Sequence, residues 1–323
     1  MLSQFKNYIK KWDWLGCVLK VINIKYDAFI SRFYSEDKYI IRQYKKRTGK
    51  KLNLENPKTF NEKIQWLKLF YKNPIMHDCV DKYEVRKIVK KNIKDDILVK
   101  NYGIWDKFDD IDFEKLPEEF VLKLTNGSSF NYICKNKSRK EIRKMRRRFK
   151  MWQKVDYYKY AKEWAYKGVK NRIICEELLK PSDGVPPEDY RFFCFNGKVE
   201  FFSVDYDSVI NGIKTSDYKR NIYDKSGNKI DARIKYPNKE EITTEKNPLI
   251  KKMINYSEIL SKNFPHARID FYCFDEKIYF GEITFYHASG YQKIMPEKFD
   301  IKLGNLIQLE KIKKAGQCID EKN

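Results

Sequence analysis

Histidine is scarce in this chain of 323 residues, which has only His77, His266 and His287. Its seven cysteines stand at 17, 79, 134, 175, 194, 273 and 318, with no CxxC or other metal-ligating spacing. A zinc site built on histidine or cysteine is therefore not expected. An odd number of scattered cysteines, several in apolar runs, reads as reduced buried thiols of a cytosolic protein. Asp13 and Lys20 interrupt the N-terminal apolar pattern and no small-residue cleavage site follows, so neither a membrane span nor a secretory signal is expected. The chain lacks a Walker A sequence, internal repeats, and the signatures of RRM, KH, zinc-finger and helix-turn-helix modules.

What it does have is core-forming residues and positive charge. Hydrophobic residues make up 42%, aromatics 15% and charged residues 35%, and the net charge is +22. That is enough apolar surface for one large domain or two to three coupled subdomains. The charge points to an anionic partner, whether nucleotide phosphate, membrane surface, acidic glycan or nucleic acid, without choosing among them. Richness in Lys, Asn and Ile, as an AT-rich genome produces, accounts for part of the excess.

Leu2, Phe5, Ile9, Trp12, Leu15, Leu19 and Ile22 recur at three- and four-residue steps, with Lys6, Lys10, Lys11 and Lys20 around them. This is an amphipathic helix. It packs on its own domain or lies in a membrane interface, and in the second case residues 1–30 make a peripheral membrane contact. Further helices are read over Asp37–Lys50 and from Thr59, where Glu62 completes a capping box, to Pro74. Another spans Asp81–Lys91. Lys82 lies in its first turn, where the helix dipole disfavours a cation unless it reaches an anion such as phosphate.

Leu98-Val99-Lys100 reads as a short strand. Phe120–Leu124 is a strand carrying Lys123 into the small-residue loop Thr125-Asn126-Gly127-Ser128-Ser129, a combination that suits phosphate. Residues 135–150 form a basic helix with Ile142, Met145 and Phe149 as its apolar seam. They bind a polyanion or simply face solvent. Arg172–Leu179 is a buried strand whose end, Glu176-Glu177, can accept from an adenine amino group or a ribose hydroxyl. Asn196-Gly197 joins a hairpin of Tyr190–Phe195, which contains Arg191, and Val199–Val204. Asp205-Tyr206-Asp207 matches the DxD triplet of glycosyltransferases. Residues 207–247 read as polar loops, Pro248–Phe264 as a helix, Phe299–Leu309 as a last element, and 311–323 as a polar tail.

The most telling stretch is Phe264–Tyr291. Strands Ile269–Phe274 and Ile278–Phe285 carry acids at Asp270 and Glu282, where propensity favours Val or Ile. A three-residue turn at Asp275-Glu276-Lys277 pairs Phe274 with Ile278 and sets Asp270 opposite Glu282, beside Arg268 and Thr284. Adjacent carboxylates need a cation or shared proton, and oxygen ligands without Cys or His point to Mg²⁺. A two-residue turn would put the acids on opposite faces. An exposed hairpin with solvated acids gives the same pattern.

The order of these parts resembles the ATP-grasp superfamily, including the D-alanine–D-alanine ligases. More closely, NPKTFNEKIQWLKL, LPEEFVLK, DYRFFCFNGK and FGEITFYHASG resemble the TupA-like ATP-grasp family of teichuronopeptide and polysaccharide biosynthesis, over roughly Leu52–Leu309. The resemblance implies an α+β ATP-grasp fold, two subdomains gripping ATP behind a helical N-terminal extension. The boundaries read are 1–75, 76–180, 181–310 and a tail, 311–323. It implies ATP and Mg²⁺ as cofactors. Lys82, Lys123 and the loop Asn126, Gly127, Ser128 and Ser129 would contact ATP, with Glu176, Glu177 and Leu178 lining the adenine and ribose pocket. Asp270, Glu282 and Thr284 would hold the metal, Thr284 standing where many relatives have Asn. Arg268 and Lys123 would stabilise the transferring phosphoryl group, while Arg191, Ser289 and Gly290 face the substrate. The implied reaction joins a carboxylate to an amine through an acylphosphate, on a capsular or other surface polysaccharide or its precursor. The partners are an acidic glycan or sugar precursor rather than nucleic acid, met in the cytoplasm or at the inner face of the membrane. A glycosyltransferase, or a phosphotransferase on the same fold, is the alternative.

Overall fold

The computed structural model describes residues 13–184, 187–206, 209–210, 213–214, 218–240 and 248–314. In chain order the helices are α1 (Asp13–Ile30), α2 (Glu36–Thr48), α3 (Phe60–Phe70), α4 (Ile75–Val80), α5 (Val85–Asn92), α6 (Arg139–Trp152), α7 (Tyr157–Ala161), α8 (Ile250–Ser261), α9 (Glu297–Leu306) and α10 (Leu309–Lys314). The strands of the two larger sheets are β1 (Asn101–Trp105), β2 (Phe120–Leu124), β3 (Asn131–Cys134), β4 (Ile173–Glu177), β5 (Glu188–Phe195), β6 (Lys198–Tyr206), β7 (Lys219–Asp224), β8 (His266–Phe274) and β9 (Lys277–Thr284). This is the α+β class expected, with helices leading. Two compact units share it. One holds the residues up to Ile40 with Asn101–Leu178, the other Ile41–Lys100 with the residues from Leu179 onward.

In the first unit an antiparallel sheet runs β1-β4-β2-β3. Side chains alternate across it, so Phe120, Leu122, Leu124, Ile173 and Cys175 share a face buried with Val21 and Ile24 of α1 and Met145, Phe149 and Trp152 of α6. Full burial of one such aliphatic or aromatic side chain contributes about 1.5–3 kcal/mol. The opposite face receives Val121, Lys123, Ile174 and Glu176. The basic helix starts at Arg139, where the Ser138 hydroxyl accepts from the Glu141 N–H.

In the second unit five antiparallel strands run β9-β8-β5-β6-β7. α8 lays Met253, Tyr256 and Leu260 toward one face, where Tyr256, Phe271, Phe192 and Phe202 form a chain of ring contacts. The other face is charged. Period-two alternation and register bring Asp189, Arg191, Asp205, Arg220, Arg268, Asp270, Glu282 and Thr284 onto it. α3 begins as expected, with reciprocal capping between Thr59 and Glu62.

Three expectations are corrected. Leu98–Lys100 is not a strand: the Val99 carbonyl accepts from Arg86 Nη2 at 2.7 Å, and pairing starts at Asn101. The loop-rich stretch contains β7, whose polar residues Arg220 and Asn221 are buried among partners rather than solvated. The tail expected from residue 311 begins inside α10. Among the described residues no helix is long and apolar enough to cross a membrane.

Candidate active site

The hairpin of the second unit reaches the expected pairing by another route. Its turn has two residues, Asp275 and Glu276, both in the left-handed region, and Phe274 pairs with Lys277. Such a turn alone would separate the acids onto opposite faces. A β-bulge between Phe280 and Glu282 shifts the register by one residue, and Asp270 lies opposite Glu282. Gly281 fills the bulge. A Cβ there would lie 3.0 Å from the Asp270 carbonyl oxygen and 3.3 Å from its carbon, so the close approach favours glycine.

Arg268 occupies the space beside the two acids. Its Nε and Nη2 donate to Asp270 Oδ1 and Oδ2, each at 2.6 Å, and Nη2 also reaches Glu282 Oε1 at 3.1 Å and Thr284 Oγ1 at 3.2 Å. Thr284 in turn donates to Glu282 Oε1 at 3.1 Å. Burial raises the Asp270 pKa, opposed by the charges of Arg268 and Arg191 and reinforced by Glu282. Glu282 is partly exposed, and what desolvation it suffers is outweighed by Arg268, Lys82, Arg191 and the Thr284 hydroxyl, which lower its pKa. The remaining Arg268 nitrogen, Nη1, lies 2.6 Å from His287 Nδ1. Burial, with Arg268 beside it, holds the His287 pKa well below the ordinary value. The imidazole is thus neutral and accepts through Nδ1, while its buried Nε2 has no hydrogen-bond partner among the described residues.

The same face continues through Arg191, whose Nη2 lies 3.0 Å from Asp189 and 2.8 Å from Asp205, and whose Nε lies 3.9 Å from Asp270. Asp205 is fully buried and also takes two bonds from Arg220, at 2.5 and 2.8 Å. Both its oxygens face guanidinium groups. This corrects the reading of Asp205 as a triplet ligand for a sugar-nucleotide metal; Asp207 lies outside the described residues.

Lys82 is not in the first turn of a helix but in the turn between α4 and α5, where Asp81 Oδ1 accepts from the Tyr83 and Glu84 N–H groups. It is close enough for its charge to act on Glu282. Ala288, Ser289 and Gly290 are three consecutive left-handed residues. Their turn is held from α3: Gln65 Nε2 donates to the Ser289 and Gly290 carbonyls at 2.9 and 3.0 Å, and Lys68 Nζ to the Ser289 carbonyl and hydroxyl at 2.8 and 2.7 Å. Sequence reasoning missed Gln65, Lys68, His287, Asp189 and Gly281. A signal for the first two was present, since Asn61, Gln65 and Lys68 put polar groups at helical spacing inside an apolar stripe.

In the first unit, Lys123 Nζ lies 2.6 Å from Glu176 Oε2 on the face opposite the core. Glu176 is buried, while Glu177, one residue on, is exposed. The loop after β2 divides in two. Thr125 and Asn126 are buried and donate to the carbonyls of Lys170 and Val169, so Asn126 is part of the wall rather than the loop tip. Ser128 and Ser129 are exposed, and Lys20 Nζ donates to the Ser129 carbonyl at 3.1 Å. Gly127 and Ser129 are left-handed, and a Cβ on Gly127 would strike the Tyr157 ring at 2.9 Å.

Among the described residues no three His, Cys, Asp or Glu side chains converge as a ready metal cage. The donors present are two carboxylates and a hydroxyl on neighbouring strands. They fit magnesium in kind, and the guanidinium lodged between them shows that the position accepts a cation.

The chain matches the sequence profile described as TupA-like ATPgrasp over residues 62–308. No curated protein matches it in sequence. Several solved structures are similar to it. D-alanine–D-alanine ligase from Bacillus anthracis has 18% identity and a TM-score of 0.43, covering 74% of this chain and 69% of that one. The ADP complex of N5-carboxyaminoimidazole ribonucleotide synthetase has 14% identity and a TM-score of 0.40, covering 69% and 50%. L-amino acid ligase from Bacillus licheniformis has 15% identity and a TM-score of 0.40, covering 67% and 43%. This chain thus spans about half the length of the synthetase.

Proposed function

The chain belongs to the TupA-like ATP-grasp family, and on that premise we propose that it is an ATP- and Mg²⁺-dependent ligase joining a carboxylate to an amine. The observation that carries the proposal is the Arg268–Asp270–Glu282–Thr284 cluster, hard oxygen donors gathered around one cationic group on one sheet face. Asp270 and Glu282, with Thr284, are the residues that would hold Mg²⁺. The ion, when bound, supplies charge compensation for the terminal phosphates. Arg268 offsets charge developing on the transferred phosphoryl group, and Lys82 adds positive potential on the same side. In the other unit Lys123 is assigned to phosphate, Glu176, Glu177 and Leu178 to the adenosine, and Gly127, Ser128 and Ser129 to the loop over the triphosphate. Asn126 supports that loop from below.

The substrate carboxylate attacks the γ-phosphate and expels ADP; an amine then attacks the carbonyl of the acylphosphate, loses a proton and expels phosphate, leaving the amide. This chemistry is mainly positioning and electrostatics, so it needs no nucleophilic Ser/His or Cys/His pair. We assign Arg191 and the Ser289-Gly290 turn to the acceptor side. A surface polysaccharide or its acidic sugar precursor suits the +22 charge. A cytoplasmic enzyme touching the inner face of the membrane through residues 1–30 would meet a lipid-linked precursor there.

Thermal shift tests the reading, with ATP in the presence and absence of Mg²⁺ beside UDP- and GDP-sugars, on wild type and Glu282→Gln. A ligand at a hundredfold its Kd stabilises the fold by about 2.7 kcal/mol. Stabilisation by Mg-ATP that weakens in the variant supports the ligase or the phosphotransferase on the same fold, and ADP release on adding candidate amines then separates the two. A shift with sugar nucleotides and none with ATP overturns it in favour of a glycosyltransferase.

A further inference from the structure

The oxygens assigned to the metal are already engaged by an internal cation. Both Asp270 oxygens lie 2.6 Å from Arg268 nitrogens, and Glu282 Oε1 and Thr284 Oγ1 lie 3.1 and 3.2 Å from Nη2. A magnesium ion needs such oxygens at about 2.0–2.1 Å in octahedral array. Oxygens that accept charge-assisted bonds from one guanidinium cannot also present those lone pairs to a metal.

Charge points the same way. The four carboxylates of this face, Asp189, Asp205, Asp270 and Glu282, contribute four negative charges, and Arg191, Arg220 and Arg268 with nearby Lys82 contribute four positive ones. Lys82 acts on Glu282 from the turn between α4 and α5, and His287, on the far side of Arg268, is neutral. An incoming divalent cation therefore meets a neutral cluster rather than a dianion. A triphosphate changes the balance, because its oxygens are strong acceptors for a guanidinium.

We infer that Arg268 is the resident counter-ion of the Asp270–Glu282 pair, excluding a divalent metal until a nucleotide triphosphate draws the guanidinium away. Metal occupancy and the Arg268–carboxylate contacts exclude each other, and metal enters with nucleotide rather than before it. This rests on the nucleotide reading above and adds an order of binding to it. The Nη1–His287 bond leaves one corner of the guanidinium anchored when its Nε–Nη2 edge releases Asp270.

The test uses Mn²⁺ as the probe, counted by the loss of the free-ion electron paramagnetic resonance signal. The full chain is titrated as wild type, Arg268→Gln and the double variant Arg268→Gln/Glu282→Gln, each with and without a non-hydrolysable ATP analogue. Without nucleotide, Arg268→Gln is expected to bind Mn²⁺ at least tenfold more tightly than wild type, and the double variant to lose that gain. Wild type is expected to take up Mn²⁺ only with the analogue, beyond the amount that the same analogue chelates in a protein-free control. Nucleotide-free Mn²⁺ binding by wild type as tight as that of Arg268→Gln overturns the inference. Should Arg268→Gln fail to fold, Arg268→Lys, which loses the two-pronged grip, is titrated in its place: Mn²⁺ binding tighter than wild type supports the inference, and equal or weaker binding overturns it. The nucleotide reading itself fails on a different result, wild type that takes up no analogue with or without Mn²⁺.

Discussion

Asp270 faces Glu282 only because Gly281 bulges out of β9 between them and the turn. The bulge converts a two-residue hairpin, which would place the acids on opposite faces, into one that sets them side by side. Gly281→Val would drive a Cβ and two methyl groups against the Asp270 backbone, whose carbonyl oxygen is 3.0 Å from the Cβ position. The expected cost is about 1–3 kcal/mol in urea denaturation, with loss of the Mg-ATP thermal shift. Gly281→Ala should fall between. Equal stability and an intact shift in the valine variant would remove the bulge from the site.

Lys123 and Glu176 form an ion pair on the face of the first unit's sheet opposite the core, with the glutamate the more buried partner. Lys123→Met strands a buried carboxylate and is expected to destabilise by about 1–3 kcal/mol. Lys123→Met/Glu176→Gln should recover part of that loss while ATP binding stays lost in both. A double-mutant cycle by denaturation, with equilibrium dialysis of ATP, separates the structural share from the binding share.

Asp205 offers a contrast. Asp205→Asn removes the shared counter-charge of Arg191 and Arg220, and the expected loss is about 3–5 kcal/mol with no gain or loss of metal affinity beyond the unfolding. A triplet ligand would behave the other way, losing metal while the urea midpoint holds.

Asp300, near the start of α9, accepts from the Asn61 N–H and side-chain amide, and burial raises its pKa to about 6 despite those bonds. Between the unfolded carboxylate's value and 6 the folded chain holds a proton that the unfolded chain has released. Stability therefore falls as pH rises through that window, by up to about 3 kcal/mol, and levels off above it. Asp300→Asn should flatten this part of the curve in denaturation at pH 4, 5, 6 and 7. An unchanged slope would assign the dependence to other groups.

The main strands and helices were legible where local chemistry is strong. The capping box at Thr59 and Glu62, the Asn196-Gly197 hairpin and the seam Met145–Phe149 each depend on residues close in sequence. β7 was not legible, because Arg220 and Asn221 look solvated until Asp205, fifteen residues back, is laid beside them. The acid pair was foreseen with the wrong turn, since a bulge is a backbone choice that only the shared burial of β8 and β9 makes worthwhile. Nor does a linear reading show that residues 41–100 group with those after 178. Of the site, the carboxylates and Arg268 stood out as charges on apolar strands. His287 and Lys68 did not, because their meaning lies in what they hold.

The helix α1 turns Leu15, Ile22, Tyr26, Phe29 and, just beyond its end, Phe33 outward, with exposures of 40, 54, 58, 53 and 69%. Val21 and Ile24 fix the inner face in the core, so rotation cannot hide the outer stripe. In the same unit α6 presents exposed Arg139, Lys140, Arg143 and Arg147. An anionic bilayer matches both features, apolar contact from one helix and charge from the other. Full-length protein is therefore expected to co-sediment with phosphatidylglycerol-containing vesicles and to be released by salt, and to remain free of pure phosphatidylcholine. Losing the burial of one large apolar side chain costs about 1.5–3 kcal/mol, so Ile22→Glu and Phe29→Glu should each weaken vesicle binding about tenfold or more. Because both side chains already face outward, the melting temperature should hardly move. Vesicle binding unchanged in both variants would assign the stripe to something other than lipid.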